Sequence, residues 1–194
     1  MVEIVPAQAC DMDQVVQVFC QAFGESIAFF LKGEARAEKA LKDIFTLLVQ
    51  VFGPGFMAAV KKGQVLGYII MVPDIRKLWT SCFFSGLAWK ILGRAITGAY
   101  GLGILELVRI SRNKLAYMSF EMKTPEAAQI LSVAVHPQYQ GQGVGKKLIR
   151  RGLDYIDKMG LGKIKLEVRL NNKVALKLYE EFGFTPQGKM RDLQ

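Results

Sequence analysis

The stretch Gln140-Gly141-Gln142-Gly143-Val144-Gly145 is the part of this chain best suited to chemistry. Its glycines let the backbone turn tightly and leave no side chain over the N–H groups. A nearly all-apolar run at 129–136 precedes it, as a buried strand requires, and an amphipathic run at about 144–159 follows. The turn therefore opens a helix, whose unpaired N–H groups and positive dipole end suit phosphate oxygens. Two better-known phosphate loops do not fit. Gly145-Lys146-Lys147 lacks the hydroxyl of a Walker A loop and its spacing from Gly141 is one residue short; the glycines run GxGxG rather than GxGxxG. What matches is (Gln/Arg)-x-x-Gly-x-(Gly/Ala), filled by Gln140, Gly143 and Gly145.

Elements that would position this turn can be read from periodicity. Residues 2–5 read as a first strand. Asp11 reads as the N-cap of a helix burying Val15, Val16, Phe19, Ala22 and Phe23. A second helix is expected over about 34–52, with Ala37, Leu41, Ile44, Phe45 and Leu48 inward, stopped by Gly53-Pro54-Gly55. Apolar runs at 56–60 and 65–72 around Lys61-Lys62-Gly63-Gln64 predict a hairpin. Downstream, 164–170 alternates as a strand and 173–182 is helical. Gly183 is the expected C-cap, and Phe184 is expected to begin a last strand.

With those elements in place, Ile130-Leu131-Ser132-Val133-Ala134-Val135-His136-Pro137, the glycine turn, Leu166-Glu167-Val168-Arg169, Asn172 and Leu178-Tyr179-Glu180-Glu181-Phe182-Gly183-Phe184 together resemble the GNAT superfamily of acyl-CoA-dependent N-acyltransferases. Bacterial protein N-terminal acetyltransferases are especially similar over this last third of the chain. The resemblance implies an α/β (α+β) fold: a mixed, largely antiparallel sheet flanked by helices, in which the 129–136 and 164–170 strands are parallel and splay apart. Acetyl-CoA would enter that cleft as cosubstrate. Its pyrophosphate would meet the N–H groups of Gln142, Gly143, Val144, Gly145 and Lys146, with Gln140 and Gly141 shaping the turn, and pantetheine would pair with the backbone of Leu131, Val133 and Val135. A ligand strand completing a sheet, with its phosphates at a helix start, is physically coherent.

Roles for side chains follow from the same resemblance. Tyr179 matches the tyrosine that protonates the departing sulfur; its competing role is a core tyrosine. Asn172 matches the position that bonds the pantetheine arm, and it also suits a helix N-cap. The oxyanion donor would be a backbone N–H near Val133. Many members place a glutamate two residues before the Leu131 position, where this chain has Gln129, which takes no proton. Glu167 matches the base of the bacterial relatives; a salt bridge to its basic neighbours is the alternative. Lys146, Lys147, Arg150 and Arg151 lie on the polar side of their helix, as phosphate contacts or as a solvated face. His136 reads as a loop residue, and Cys82 has no neighbouring base that would support a thiol nucleophile.

Composition bounds the rest. The 194 residues are 51% hydrophobic and 22% charged, a globular balance that excludes disorder and disulfide-dependent folding. Three cysteines form no CxxC pair, which favours a reducing compartment, and one histidine makes a His-rich metal site a poor expectation; no metal is expected. Glu3, Asp11 and Asp13 precede any basic residue, the opposite of a targeting peptide, so a cytoplasmic protein is expected. The net charge of +9 is uneven: residues 1–60 carry 4 basic and 7 acidic groups, 61–124 carry 10 and 3, and 125–194 carry 12 and 7. An anionic partner is implied, but no helix-turn-helix, RNP or zinc pattern points to nucleic acid.

One N-acetyltransferase domain over 1–194 is expected, with an apolar and basic insertion at about 74–124. Between 78 and 108 only Lys90, Arg94 and Glu106 are charged, yet the longest uncharged runs are 12 and 11 residues, too short for a membrane span, which needs roughly 18. Three readings of this segment stand: a lid over an apolar amine or peptide acceptor, a peripheral contact with an anionic membrane, or a packed core or homodimer interface. An acyl-CoA-binding module without catalysis is the alternative to an enzyme.

Overall fold

A computed structural model describes residues 1–30, 34–74, 76, 80, 86–100 and 127–188. Most of the 74–124 insertion, Cys82 included, lies outside the described residues, as do 101–126 of the expected lid or membrane segment. In chain order the elements are β1 (Glu3–Pro6), α1 (Met12–Phe30), α2 (Glu34–Phe52), β2 (Phe56–Lys61), β3 (Gln64–Val72), α3 (Gly86–Ile96), β4 (Ala128–Val135), α4 (Val144–Asp157), β5 (Ile164–Leu166) and α5 (Lys173–Glu181).

The five strands form one sheet in the order β1-β2-β3-β4-β5, antiparallel except for the parallel β4–β5 pair. On one face, Val15, Val16, Phe45, Phe52, Phe56 and Tyr68 pack under α1 and α2; on the other, Met57, Ile69, Met71 and Ile130 meet Leu148, Ile149 and Ile156 of α4. Strand alternation supplies both faces at once, which is why β3 is buried from Val65 to its end at Val72. Gly67 faces Val135 across β3 and β4, and a Cβ there would sit 2.7 Å from the Ala134 carbonyl oxygen and 3.2 Å from Leu148 Cδ1.

Four expectations are corrected. The alternation at 164–170 yields only Ile164–Leu166, because β5 finds three partners on β4 and no ladder beyond them. Phe184 begins no strand among the described residues. Gly183 adopts φ +82° and turns the chain back, so that the Phe184 N–H donates to the Tyr179 carbonyl at 3.1 Å and the Gly183 N–H to that of Glu180 at 3.0 Å. Ile44 is 40% exposed, while its neighbours Phe45 and Leu48 are buried. Asp11 closes a 3-10 turn before α1, its carboxylate accepting from the Gln8 N–H at 2.8 Å.

On the 86–100 part of the insertion, α3 docks on α2. Ala95 and Tyr100 bury Ala40, and Asp43 accepts from Arg94 Nη1 at 2.5 Å and from the Tyr100 hydroxyl at 2.6 Å. Burial alone would raise the Asp43 pKa, but the hydrogen bonds from Tyr100 and Arg94 outweigh it and hold the carboxyl below its ordinary value.

Buried phenols give the fold an alkaline limit. Burial raises Tyr68 far above its ordinary value, although its hydroxyl shares a 2.9 Å hydrogen bond with Ser132 Oγ. Burial and the Asp43 hydrogen bond push Tyr100 up to about 12. Unfolded phenols titrate near 10, so above that pH the unfolded chain sheds protons the folded chain keeps. Stability is therefore expected to be unaffected by these groups below about pH 10 and to fall above it, by up to about 1.4 kcal/mol per pH unit for each phenol held neutral. Urea melts between pH 9 and 11.5 check this: Tyr68→Phe should flatten the alkaline slope, and a slope unchanged in that variant would refute the assignment.

Candidate functional site

The parallel pair parts in the middle of β4. Ala128, Gln129 and Ile130 pair with Ile164, Lys165 and Leu166, and there the pairing ends while β4 runs on to Val135. At the same point β4 carries a bulge: Met71 pairs with Ile130 and Ile70 with Ser132, leaving Leu131 as the extra residue. A bulge bends its strand and adds twist, which swings β4 away from β5. It also shifts side-chain parity, so Ala128 and Ile130 before it, and Val133 and Val135 after it, all face α4. The bulge left no trace in the hydrophobic pattern, since every residue from 130 to 135 except Ser132 is apolar.

At the end of β4 the glycine turn is built as its sequence requires. Gly141 and Gly143 take φ +74° and +78°, in the left-handed region, and Gly143 occupies the N-cap position of α4. Gln140 Nε2 donates to the Val135 carbonyl at 3.0 Å and Gln142 Nε2 to the Gln138 carbonyl at 2.9 Å, so both glutamines brace the turn from within. Lys147 N–H makes the first helical bond, to Gly143 at 3.1 Å, which leaves the N–H groups of Val144, Gly145 and Lys146 as the open end of the helix. His136 caps the short turn before it: its Nδ1 accepts from the Gln138 N–H at 3.3 Å, in line with its reading as a loop residue.

Tyr179 is the most buried side chain of α5, at 9% exposure, whereas Ala175, Leu178 and Phe182 are half-buried. It thus sits at the centre of the packed face rather than beside it. Its ring meets Phe184 edge-on at 5.8 Å, a contact made by the Gly183 turn. Burial raises its pKa, so the hydroxyl stays protonated through neutral pH, and it makes no hydrogen bond among the described residues. Asn172 caps α5, its Oδ1 accepting from the Ala175 N–H at 3.0 Å. Glu167 follows β5 immediately and is exposed.

Sequence reasoning did not foresee the tie between the two helices. Lys146 Nζ lies 2.6 Å from Glu181 Oε2, a contact that lowers the Glu181 pKa. Beside this ion pair an open cleft of about 460 Å³ runs between α4 and α5, lined by Lys146, Arg150, Leu153, Asp154, Glu181 and Phe182. Two helices of one amphipathic polar face each had been visible, but not that a cation of one meets an anion of the other.

A parted parallel pair with a phosphate-facing helix start on one side and a buried phenol on the other defines a class of α/β acyl-carrier folds. The chain belongs to the Acetyltransferase (GNAT) family, whose sequence profile matches residues 25–184. It is 37% identical over 71 residues to "[Ribosomal protein bS18]-alanine N-acetyltransferase" of Escherichia coli (strain K12), an alignment covering 37% of this chain and 48% of that one. The chain thus spans about half the length of such relatives. Among solved structures it resembles PH1933 from Pyrococcus horikoshii OT3, with a TM-score of 0.65, 18% identity and coverage of 99% and 94%. PaiA N-acetyltransferase from Thermoplasma acidophilum, solved in complex with coenzyme A, gives a TM-score of 0.60 at 14% identity, covering 99% and 94%. At these identities the solved structures speak for the fold.

Proposed function

We propose that residues 1–194 act as one N-acetyltransferase domain that moves an acetyl group from acetyl-CoA to a primary amine by direct attack in a ternary complex. The carrying observation is the position of the β4–β5 parting, between the open N-terminus of α4 and the unbonded hydroxyl of Tyr179. The residues present fit the carrier: positive-φ Gly141 and Gly143 present bare N–H groups to phosphates, and Leu131, Val133 and Val135 offer strand edge to an amide-bearing arm. Asn172, on the far wall, is placed to bond the same arm, although capping already uses its Oδ1. Lys146 adds a cation at the turn.

When bound, the thioester supplies an activated acyl carbon. The amine nitrogen forms the new C–N bond as the C–S bond breaks. A backbone N–H near Val133 holds the developing oxyanion, and the Tyr179 hydroxyl gives its proton to the departing sulfur. The amine's surplus proton passes to Glu167, directly or through water. Bulk solvent reaches Glu167, and Gln129 offers no base, so this chain supplies little basicity. That favours an acceptor needing little: an α-amine, of pKa about 8, over a lysine ε-amine of about 10.4. A relative named for alanine N-acetylation points the same way, and a peptide beginning with alanine is the acceptor to try first.

Thiol release from acetyl-CoA tests this with an N-terminal alanine peptide against an Nα-blocked lysine peptide; the former is expected to react faster. Glu167→Gln should lower kcat about 10-fold near pH 7 and less at pH 9, where the α-amine has lost its own proton. Binding of acetyl-CoA without turnover on any amine would leave the binding-module reading, to which Gln129 lends weight. We also propose that the segment around 78–108 makes a peripheral membrane contact; no helix of the described residues is long and apolar enough to cross a membrane.

A further inference from the structure

The outward face of α3 is apolar, although the helix already spends one apolar face on α2. Ile91 and Ala95 pack toward Ala40 and Tyr100, and Arg94 is held by Asp43. On the other side Trp89 is 55% exposed, Leu92 48% and Ile96 72%. At 100° per residue these three fall within an arc of about 60°, so they form one stripe along the helix. Exposed Lys90 flanks it. A tryptophan, a leucine and an isoleucine in line beside a lysine are the composition of a helix that lies in a bilayer interface.

Charge selects the occupant. The stretch 61–124, which carries α3, holds 10 basic and 3 acidic residues. A second copy of this chain would set that excess against itself, whereas an anionic lipid surface would attract it. We propose that α3 docks this protein on anionic lipid bilayers through Trp89, Leu92 and Ile96, with Lys90 at the headgroups. This rests on the peripheral-contact reading and commits it to one helix and one lipid charge; it does not need the chain to be catalytic.

Co-sedimentation of the full chain with vesicles of phosphatidylcholine containing 30% phosphatidylglycerol (roughly 30%, a typical anionic fraction), against phosphatidylcholine alone, tests it. Binding to the anionic vesicles is expected to be at least about 10-fold tighter, to weaken as salt rises, and to blue-shift tryptophan emission. The variant Trp89→Ser/Leu92→Ser/Ile96→Ser changes side chains that are about half exposed or more, so it should fold, and its acetyl-CoA titration should match the parent. Its vesicle binding should fall about 10-fold or more. No vesicle binding by the parent overturns both the proposal and the peripheral-contact reading. Equal binding by the variant, equal binding to neutral vesicles, or a concentration-dependent dimer abolished by the variant each overturns the assignment to α3, and none of them bears on acetyl-CoA binding.

Discussion

Gly143→Val is expected to weaken acetyl-CoA binding by about 100-fold or more while leaving the chain folded. The backbone at 143 sits at φ +78°, which a β-branched residue reaches only at a cost on the order of 1–3 kcal/mol. If the backbone relaxes instead, the N–H groups that open α4 no longer point together. Either way the anion site is lost, and a valine would stand over it. No heavy atom lies within 4 Å of a Cβ placed there, so the substitution adds strain without a packing clash. Gly160 offers a matched control: it has φ +71° and equally open space, but lies in the turn after α4, away from the glycine loop. Gly160→Val should lower stability by a similar amount and leave binding intact. Calorimetric titration of both variants against acetyl-CoA separates strain from site. Equal affinity in the two would mean that the loop is only a turn.

Tyr179→Phe should lower kcat about 10- to 100-fold with KM changed less than about twofold. The substitution keeps the ring that meets Phe184, so the helix and its packing survive. What is removed is a proton donor that burial keeps neutral well past physiological pH. The effect sits at the low end for general acids because a thiol of pKa about 8.5 leaves tolerably without help. It follows that the deficit should shrink with a thioester whose thiol is more acidic than that of CoA, since such a leaving group needs no proton. The wild-type rate should show no alkaline decline from this residue below about pH 10, where an ordinary phenol would begin to titrate. Unchanged kcat in the variant would return Tyr179 to a purely packing role.

Much of this arrangement is legible in residue order because local physics dictates it. Alternation and turn residues around Lys62-Gly63 specify the β2–β3 hairpin, in which both residues adopt positive φ. The apolar run into Gln140 and the amphipathic run out of Gly145 fix a strand, a turn and a helix with little freedom left. Other features depend on partners far away in sequence. Whether 164–170 pairs for three residues or seven depends on where β4 bends, and β4 bends at a bulge that an unbroken apolar run conceals. Phe184 has the composition of a strand residue, yet the Schellman-type turn at Gly183 directs its ring to Tyr179. The contacts of Asp43 with Arg94 and Tyr100, and of Lys146 with Glu181, join residues whose spacing carries no periodic signal. Asn172 was legible as a cap because the cap bond is local.

Gly67 shows how far from the turn its geometry is decided. It lies on β3, where nothing in the proposed chemistry reaches it, yet its bare Cα touches both rails on which the turn is mounted: the backbone at Ala134 and Val135, which leads in, and Leu148, which anchors the helix leading out. The missing methyl is a spacer of zero thickness between them. Any side chain at 67 would wedge strand and helix apart and pass that displacement to Gly143 without touching it. Variants scored by loss of ligand would then outline a site whose border runs through the centre of the sheet, and residue 67 would be counted inside it.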